Sequence, residues 1–183
     1  MSDNENHDDY FIDDVLNNYK NKKKKVDGKR KGNRTERNVV KVLNERFGTG
    51  FSRSIGSGNR WSQTNHLPKH AQDVFSGDLV VPENFAFCIE SKGGYDDIDV
   101  HGFFDEGNSQ IDEFIKQCEE DSKRCNRKPL LIWKKNRKPF LAFIKESDLP
   151  HKNFNFYMHY KNYIVLNLKE LLLLENDFFF INS

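Results

Sequence analysis

Asp78, Glu90 and Lys92 lie within GDLVVPENFAFCIESKGG, residues 77–94. The stretch reads as two short strands around a turn at Pro82, Glu83 and Asn84. Strand alternation puts Leu79 and Val81 on one face of the first strand, and Phe85, Phe87 and Ile89 on one face of the second. Pairing Val81 with Phe87 and Leu79 with Ile89 matches apolar to apolar. It also sets Asp78 opposite Glu90, with Lys92 one step further along the same face. Facing side chains then sit roughly 5 Å apart at Cβ, and two carboxylates that close need a proton or a cation between them. A hard divalent ion with oxygen ligands suits the pair, and the Ser91 carbonyl offers a further oxygen. Lys92 beside a water on that ion would orient it, deprotonate it, or neutralise charge developing on a phosphate. The plainer reading is a cross-strand salt bridge on a solvated edge.

The surrounding elements must hold these three residues in place. NRTERNVVKVLNERFG reads as a helix with Val39, Val40, Leu43 and Phe47 on one face and Gly48 as its stop. Glu36 points to the edge of that face. Two readings of it compete: a group of the site, or the second half of a capping box with Asn33. GFSRSIGSGNRW reads as a short strand entering a glycine-rich loop. GGYDDIDVHGFFDEG is an acidic loop, and Ile111, Phe114, Ile115, Cys118 and Ser122 mark a helix over 109–125. PLLIWKK and PFLAFIK read as strands about a tight turn near Asn136, YIVLNL as another strand, and KELLLLEN as a short helix. The order predicts an α/β domain with a mixed central sheet flanked by helices. Residues 1–28 read as a polar extension, in part a short helix over YFIDDVLNNYK, with 20–32 a linker. Residues 29–183 read as the folded domain, 146–183 being its C-terminal elaboration.

The net charge of +1 conceals segregation. Residues 1–19 carry Asp3, Glu5, Asp8, Asp9, Asp13 and Asp14 but no Lys or Arg. Residues 20–37 carry Lys20, Lys22, Lys23, Lys24, Lys25, Lys29, Arg30, Lys31, Arg34 and Arg37 against Asp27 and Glu36. A second run is Lys123, Arg124, Arg127, Lys128, Lys134, Lys135, Arg137 and Lys138. Such clusters point to a polyanion footprint, with solvated lysines the plain alternative for 20–31. The three cysteines, Cys88, Cys118 and Cys125, form no CxxC, which argues against a disulfide framework or zinc knuckle. His66 and His70 sit four apart without further zinc ligands. No apolar run is long enough to cross a membrane, no signal peptide is evident, and a cytoplasmic setting is expected.

Asp78…Glu90-Ser91-Lys92 resembles the D…ExK signature of the PD-(D/E)XK nuclease superfamily. Glu36 matches the extra acid that many members carry on the first helix. RSIGSG, Arg53 to Gly58, resembles the loop of archaeal-type Holliday junction resolvases, and KPLLIWKKNRKP resembles the strand and basic turn of phage-encoded resolvase-like members. The similarity spans about residues 29–145. It departs at Gly77, where the motif has proline.

The resemblance implies a restriction-endonuclease-like core and a Mg²⁺-dependent phosphodiesterase acting on DNA, with Mn²⁺ able to substitute. Asp78, Glu90 and the Ser91 carbonyl would hold metal, Lys92 would position the attacking water, and Glu36 would support the metal site. This favours the site over the capping box for Glu36, although one does not preclude the other. Arg53 and Ser57 would approach phosphate, and the glycines of the GSG loop allow close backbone approach. Arg30, Lys31, Arg34, Arg60, Lys134, Lys135 and Arg137 would flank the DNA, while Trp61 reads equally as a DNA contact or as core.

The function expected is cleavage of branched DNA by a homodimer, phage- or virus-encoded and acting in the host cell, without a nucleotide cofactor. The alternatives are a restriction-type or repair endonuclease or exonuclease of the same fold, a non-catalytic DNA-binding module, and an interaction protein whose acidic segment mimics DNA.

Overall fold

The computed structural model describes residues 28–54, 77–98, 101–103, 109–150 and 154–181. Helix α1, Gly28–Phe47, runs for 20 residues and buries Val39 and Leu43. Its spacing of apolar residues every three to four positions puts one stripe against the sheet. It begins five residues before the predicted Asn33. Residues 28–32, read there as the end of a linker, are helical, and Lys and Arg are good helix formers. Asn33 therefore stands inside the helix and not at its N-cap, which removes the capping-box reading of Glu36. At the other end the Gly48 amide closes on the Asn44 carbonyl. The Asn44 side chain then clamps Phe51 through both backbone groups, at 3.0 and 3.1 Å.

Strands β1, Ser52–Arg53, and β2, Leu79–Val80, pair antiparallel. Strands β3, Phe87–Gly93, β4, Lys128–Lys134, β5, Leu141–Lys145, β6, Tyr157–Tyr160, and β7, Tyr163–Asn167, form a sheet in the order β3-β4-β5-β7-β6. β3 and β4 are parallel and the other pairs antiparallel, so the sheet is mixed. The parallel pair requires a crossover, supplied by helix α2, Ser109–Arg124. Short helices α3, Leu168–Leu171, and α4, Asn176–Phe179, close the fold.

The expected hairpin is only partly formed. β2 pairs with β1, and its link to β3 is the Asp78 amide on the Ile89 carbonyl, 2.9 Å. Strand β6 was not read from the sequence, and its four residues, YMHY, carry too short a pattern. Together β6 and β7 put residues beyond 146 into the central sheet.

Both faces of the sheet are covered. Phe87, Ile89, Leu130, Ile132, Ala142 and Ile144 pack with Val39, Leu43, Leu79 and Phe179 on the α1 side. Leu131, Trp133, Phe143 and Val165 pack under Ile111, Phe114, Ile115 and Cys118 of α2. Each buried aliphatic or aromatic side chain contributes about 1.5–3 kcal/mol. Helix α2 is anchored at its rim, where the Tyr163 hydroxyl donates to Glu119 at 2.8 Å and the Tyr160 hydroxyl to Asp112 at 3.0 Å. Helix α1 meets β3 where Thr35 lies over Gly93. A Cβ on Gly93 would overlap the Thr35 hydroxyl and come within 2.6 Å of its Cβ. The three cysteines are free thiols, Cys88 and Cys118 buried and Cys125 half-buried. Among the described residues no helix is long and apolar enough to cross a membrane.

Candidate active site

The site is built on the outer edge of β3. That strand alternates: Phe87 and Ile89 face the α1 core, while Cys88, Glu90 and Lys92 face α2. Two covered faces explain why a strand carrying charges is nearly all buried, with Glu90 only 1% exposed. The chain enters from the β2 side through Gly77, whose φ is +76°. A Cβ there would lie 2.7 Å from the Ile89 carbonyl oxygen and 2.8 Å from Cys88 Sγ. Proline, with φ locked near −65°, is incompatible with this turn, which accounts for the departure from the motif.

Asp78 bridges β3 on either side of Glu90. Its amide donates to Ile89, and its Oδ2 accepts from the Ser91 amide at 3.0 Å. The carboxylate thus stands in for the strand neighbour that β2 is too short to supply. The N–H and C=O of one strand residue point to the same edge, so the Ser91 carbonyl also faces the Asp78 side.

Glu90 Oε1 lies 2.6 Å from Lys92 Nζ, and its buried Oε2 accepts no hydrogen bond from any described residue. Burial, reinforced by the neighbouring Asp78 carboxylate, pushes the Glu90 carboxyl up to about 8, against the opposing pull of Lys92. Burial works to lower the Lys92 pKa, but the Glu90 carboxylate beside it outweighs that and holds it above its ordinary value. Lys92 also donates to Gln117 Oε1 at 2.9 Å and lies 5.3 Å over the Phe114 ring.

Asp78, Glu90 and Lys92 are therefore brought together. Glu36, on α1, is buried and takes the Arg53 Nε at 2.7 Å, while Arg53 also donates to Asn33 at 2.7 Å. Among the described residues no group of three or more His, Cys, Asp and Glu side chains is arranged to hold a metal. The oxygen donors at hand are Asp78, Glu90 and the Ser91 carbonyl. A carboxylate pair with an orphaned buried oxygen and one raised carboxyl fits a hard divalent cation that keeps several waters.

Of the expected DNA contacts, Arg34, Lys134, Lys135 and Arg137 line one cleft of about 630 Å³ between α1 and the β4–β5 turn. Arg53 is turned onto α1. Arg30 and Lys31 lie in α1, their side chains outside the described set, and Ser57, Arg60, Trp61, His66 and His70 lie outside the described residues. Gln117 and Phe114 were missed as neighbours of Lys92. The sequence placed Phe114 in the α2 apolar stripe and Gln117 at its border, without relating either to Lys92.

A model of the family described as phage putative PDDEXK endonuclease matches residues 27–178. Protein D14 of Escherichia phage T5 is 31% identical over 150 residues, covering 80% of this chain and 86% of that protein. Among solved structures, Archaeoglobus fulgidus Hjc, a Holliday junction resolvase from an archaeal hyperthermophile, matches with a TM-score of 0.37 and 14% identity. That match covers 76% of this chain and 90% of that one.

Proposed function

The chain belongs to the phage PDDEXK endonuclease family, and from that premise we propose that it is a divalent-metal-dependent endonuclease that cuts branched DNA as a homodimer inside the host cell. The observation that carries this reading is the convergence of Asp78, Glu90 and Lys92 around a buried carboxylate oxygen with no donor among the described residues. Asp78, Glu90 and the Ser91 carbonyl would hold Mg²⁺, or Mn²⁺ in its place. The chemistry so supplied is Lewis-acid polarisation of a phosphate oxygen and acidification of a bound water.

The protein's own groups do the rest. Glu90 would have to be deprotonated to serve as a ligand of that cation. Lys92 has its basicity raised by Glu90, so it acts as an ammonium that orients water and faces phosphate charge, and not as the base. Glu36 supports the site at one remove by fixing Arg53. Arg30, Lys31, Arg34, Lys134, Lys135 and Arg137, with Ser57 and Arg60, hold the DNA backbone. A four-way junction is two-fold symmetric, which suits paired nicks by a C2 dimer.

The test incubates the protein with four-way junction, linear duplex and single-stranded DNA in Mg²⁺ or EDTA. Paired symmetric nicks confined to the junction are expected, only with metal. Cutting of plain duplex at fixed sequences would point instead to a restriction-type enzyme. Asp78→Asn is expected to abolish cleavage while keeping or tightening DNA binding, because it removes a negative charge near phosphate. Cleavage retained in that variant sinks the metal assignment.

A further inference from the structure

The cleft between α1 and the β4–β5 turn has a second polyanion within its reach. It is lined by Arg34, Lys134, Lys135 and Arg137, with no carboxylate among the described residues of the lining. Two of these cations are held in place. Lys134 Nζ lies 4.6 Å over the Phe140 ring, and Lys135 donates to the Ile98 carbonyl. The nearby acid, Asp96, is engaged by the Asn136 backbone amide at 2.8 Å and by the Asn136 side chain.

Residues 1–19 of the same chain carry Asp3, Glu5, Asp8, Asp9, Asp13 and Asp14 and no Lys or Arg. The family match begins at residue 27 and so leaves this segment out. The geometry permits contact. Arg34 stands about 9 Å along α1 from Gly28, at ~1.5 Å per residue. The chain from Asp14 to Gly28 spans up to about 50 Å when extended. A segment tethered this closely meets the cleft at an effective concentration on the order of millimolar.

We propose that the acidic residues of 1–19 seat in this cleft as an intramolecular stand-in for DNA phosphates, so that nucleic acid binds there only by displacing them. The DNA half of this statement rests on the nuclease reading above, whereas the seat itself does not. Such a competitor raises the threshold for ligands that offer few phosphates and spares those that engage the whole surface, which sharpens selection. The local rival is pairing of the same acids with Lys20 and Lys22–Lys25, their neighbours in sequence.

Zero-length carbodiimide cross-linking of the full chain at low ionic strength, read by peptide mass spectrometry, separates the two. Amide links from Asp8, Asp9, Asp13 or Asp14 to Lys134 or Lys135 are expected, and they should fall when excess four-way-junction DNA is added in EDTA. Links from these acids confined to Lys20–Lys25 overturn the seat. Links to Lys134 and Lys135 that persist undiminished under DNA excess overturn the competition. In parallel, changing Asp8, Asp9, Asp13 and Asp14 to Asn should tighten binding of a plain duplex severalfold, and unchanged affinity counts against the proposal. Cross-linking does not depend on cleavage, so a failure of the nuclease reading registers separately, as loss of Mg²⁺-dependent nicking.

Discussion

Glu90 sets the acid–base state of the site. Its carboxyl is raised from 4.5 to about 8 by burial and by Asp78. Between those two values the folded protein holds a proton that the unfolded chain has released. The stability contributed by this group is therefore full below about 4.5 and is lost as pH rises towards about 8. Glu90→Gln is expected to flatten this dependence, read as melting temperature against pH in EDTA. A wild-type slope preserved in the variant would assign it to another group. A divalent cation held by Glu90, as proposed, would displace the same proton, so Mg²⁺ affinity should rise with pH over that window, as titration calorimetry would report. That Glu90 and Lys92 share a strand face was legible from sequence because strand alternation is a local property, whereas Asp78 reaches β3 through the Ile89 carbonyl and the Ser91 amide and not through the expected hairpin register. The side-chain partners were not legible: Gln117 lies 25 residues from Lys92, and Arg53 lies 17 from Glu36, and only packing brings them together.

Two glycines show how the elements aim these groups. Gly77 turns the chain into Asp78 at positive φ, against the β3 backbone. Gly77→Ala should cost about 1–3 kcal/mol by denaturant unfolding and slow cleavage more than it weakens DNA binding, because it displaces Asp78. Equal losses in both would place the effect in folding alone. Gly93 admits Thr35 of α1. Gly93→Ala should overpack that junction of helix and strand at a cost of about 1–3 kcal/mol, lowering the melting temperature, with Thr35→Gly recovering part of the loss. Most elements could be read from periodicity: α2, β4, β5, β7 and the body of α1. The first turns of α1 were missed because a run of Lys, Arg and Gly carries no apolar stripe. The partner of β2 was missed because a two-residue strand has too little pattern to choose between β1 and β3.

Across the whole molecule, the proposed DNA surface rests on charge. Neutralising Lys134 or Arg137 should weaken binding to junction and duplex alike. It should also reduce the salt slope by about 1 for each phosphate that is no longer neutralised. An unchanged slope would take that residue out of the DNA surface. The sequence by itself determined the fold class, the shared strand face of Glu90 and Lys92 and the segregation of charge, because helical period, strand alternation and composition are written residue by residue. Only the tertiary structure decided that Glu36 belongs to Arg53, that α2 buries Glu90 and raises its carboxyl, and that cations from α1 and the β4–β5 turn share one cleft. These depend on the approach of segments distant in sequence, and desolvation exists only once those segments have closed over a group.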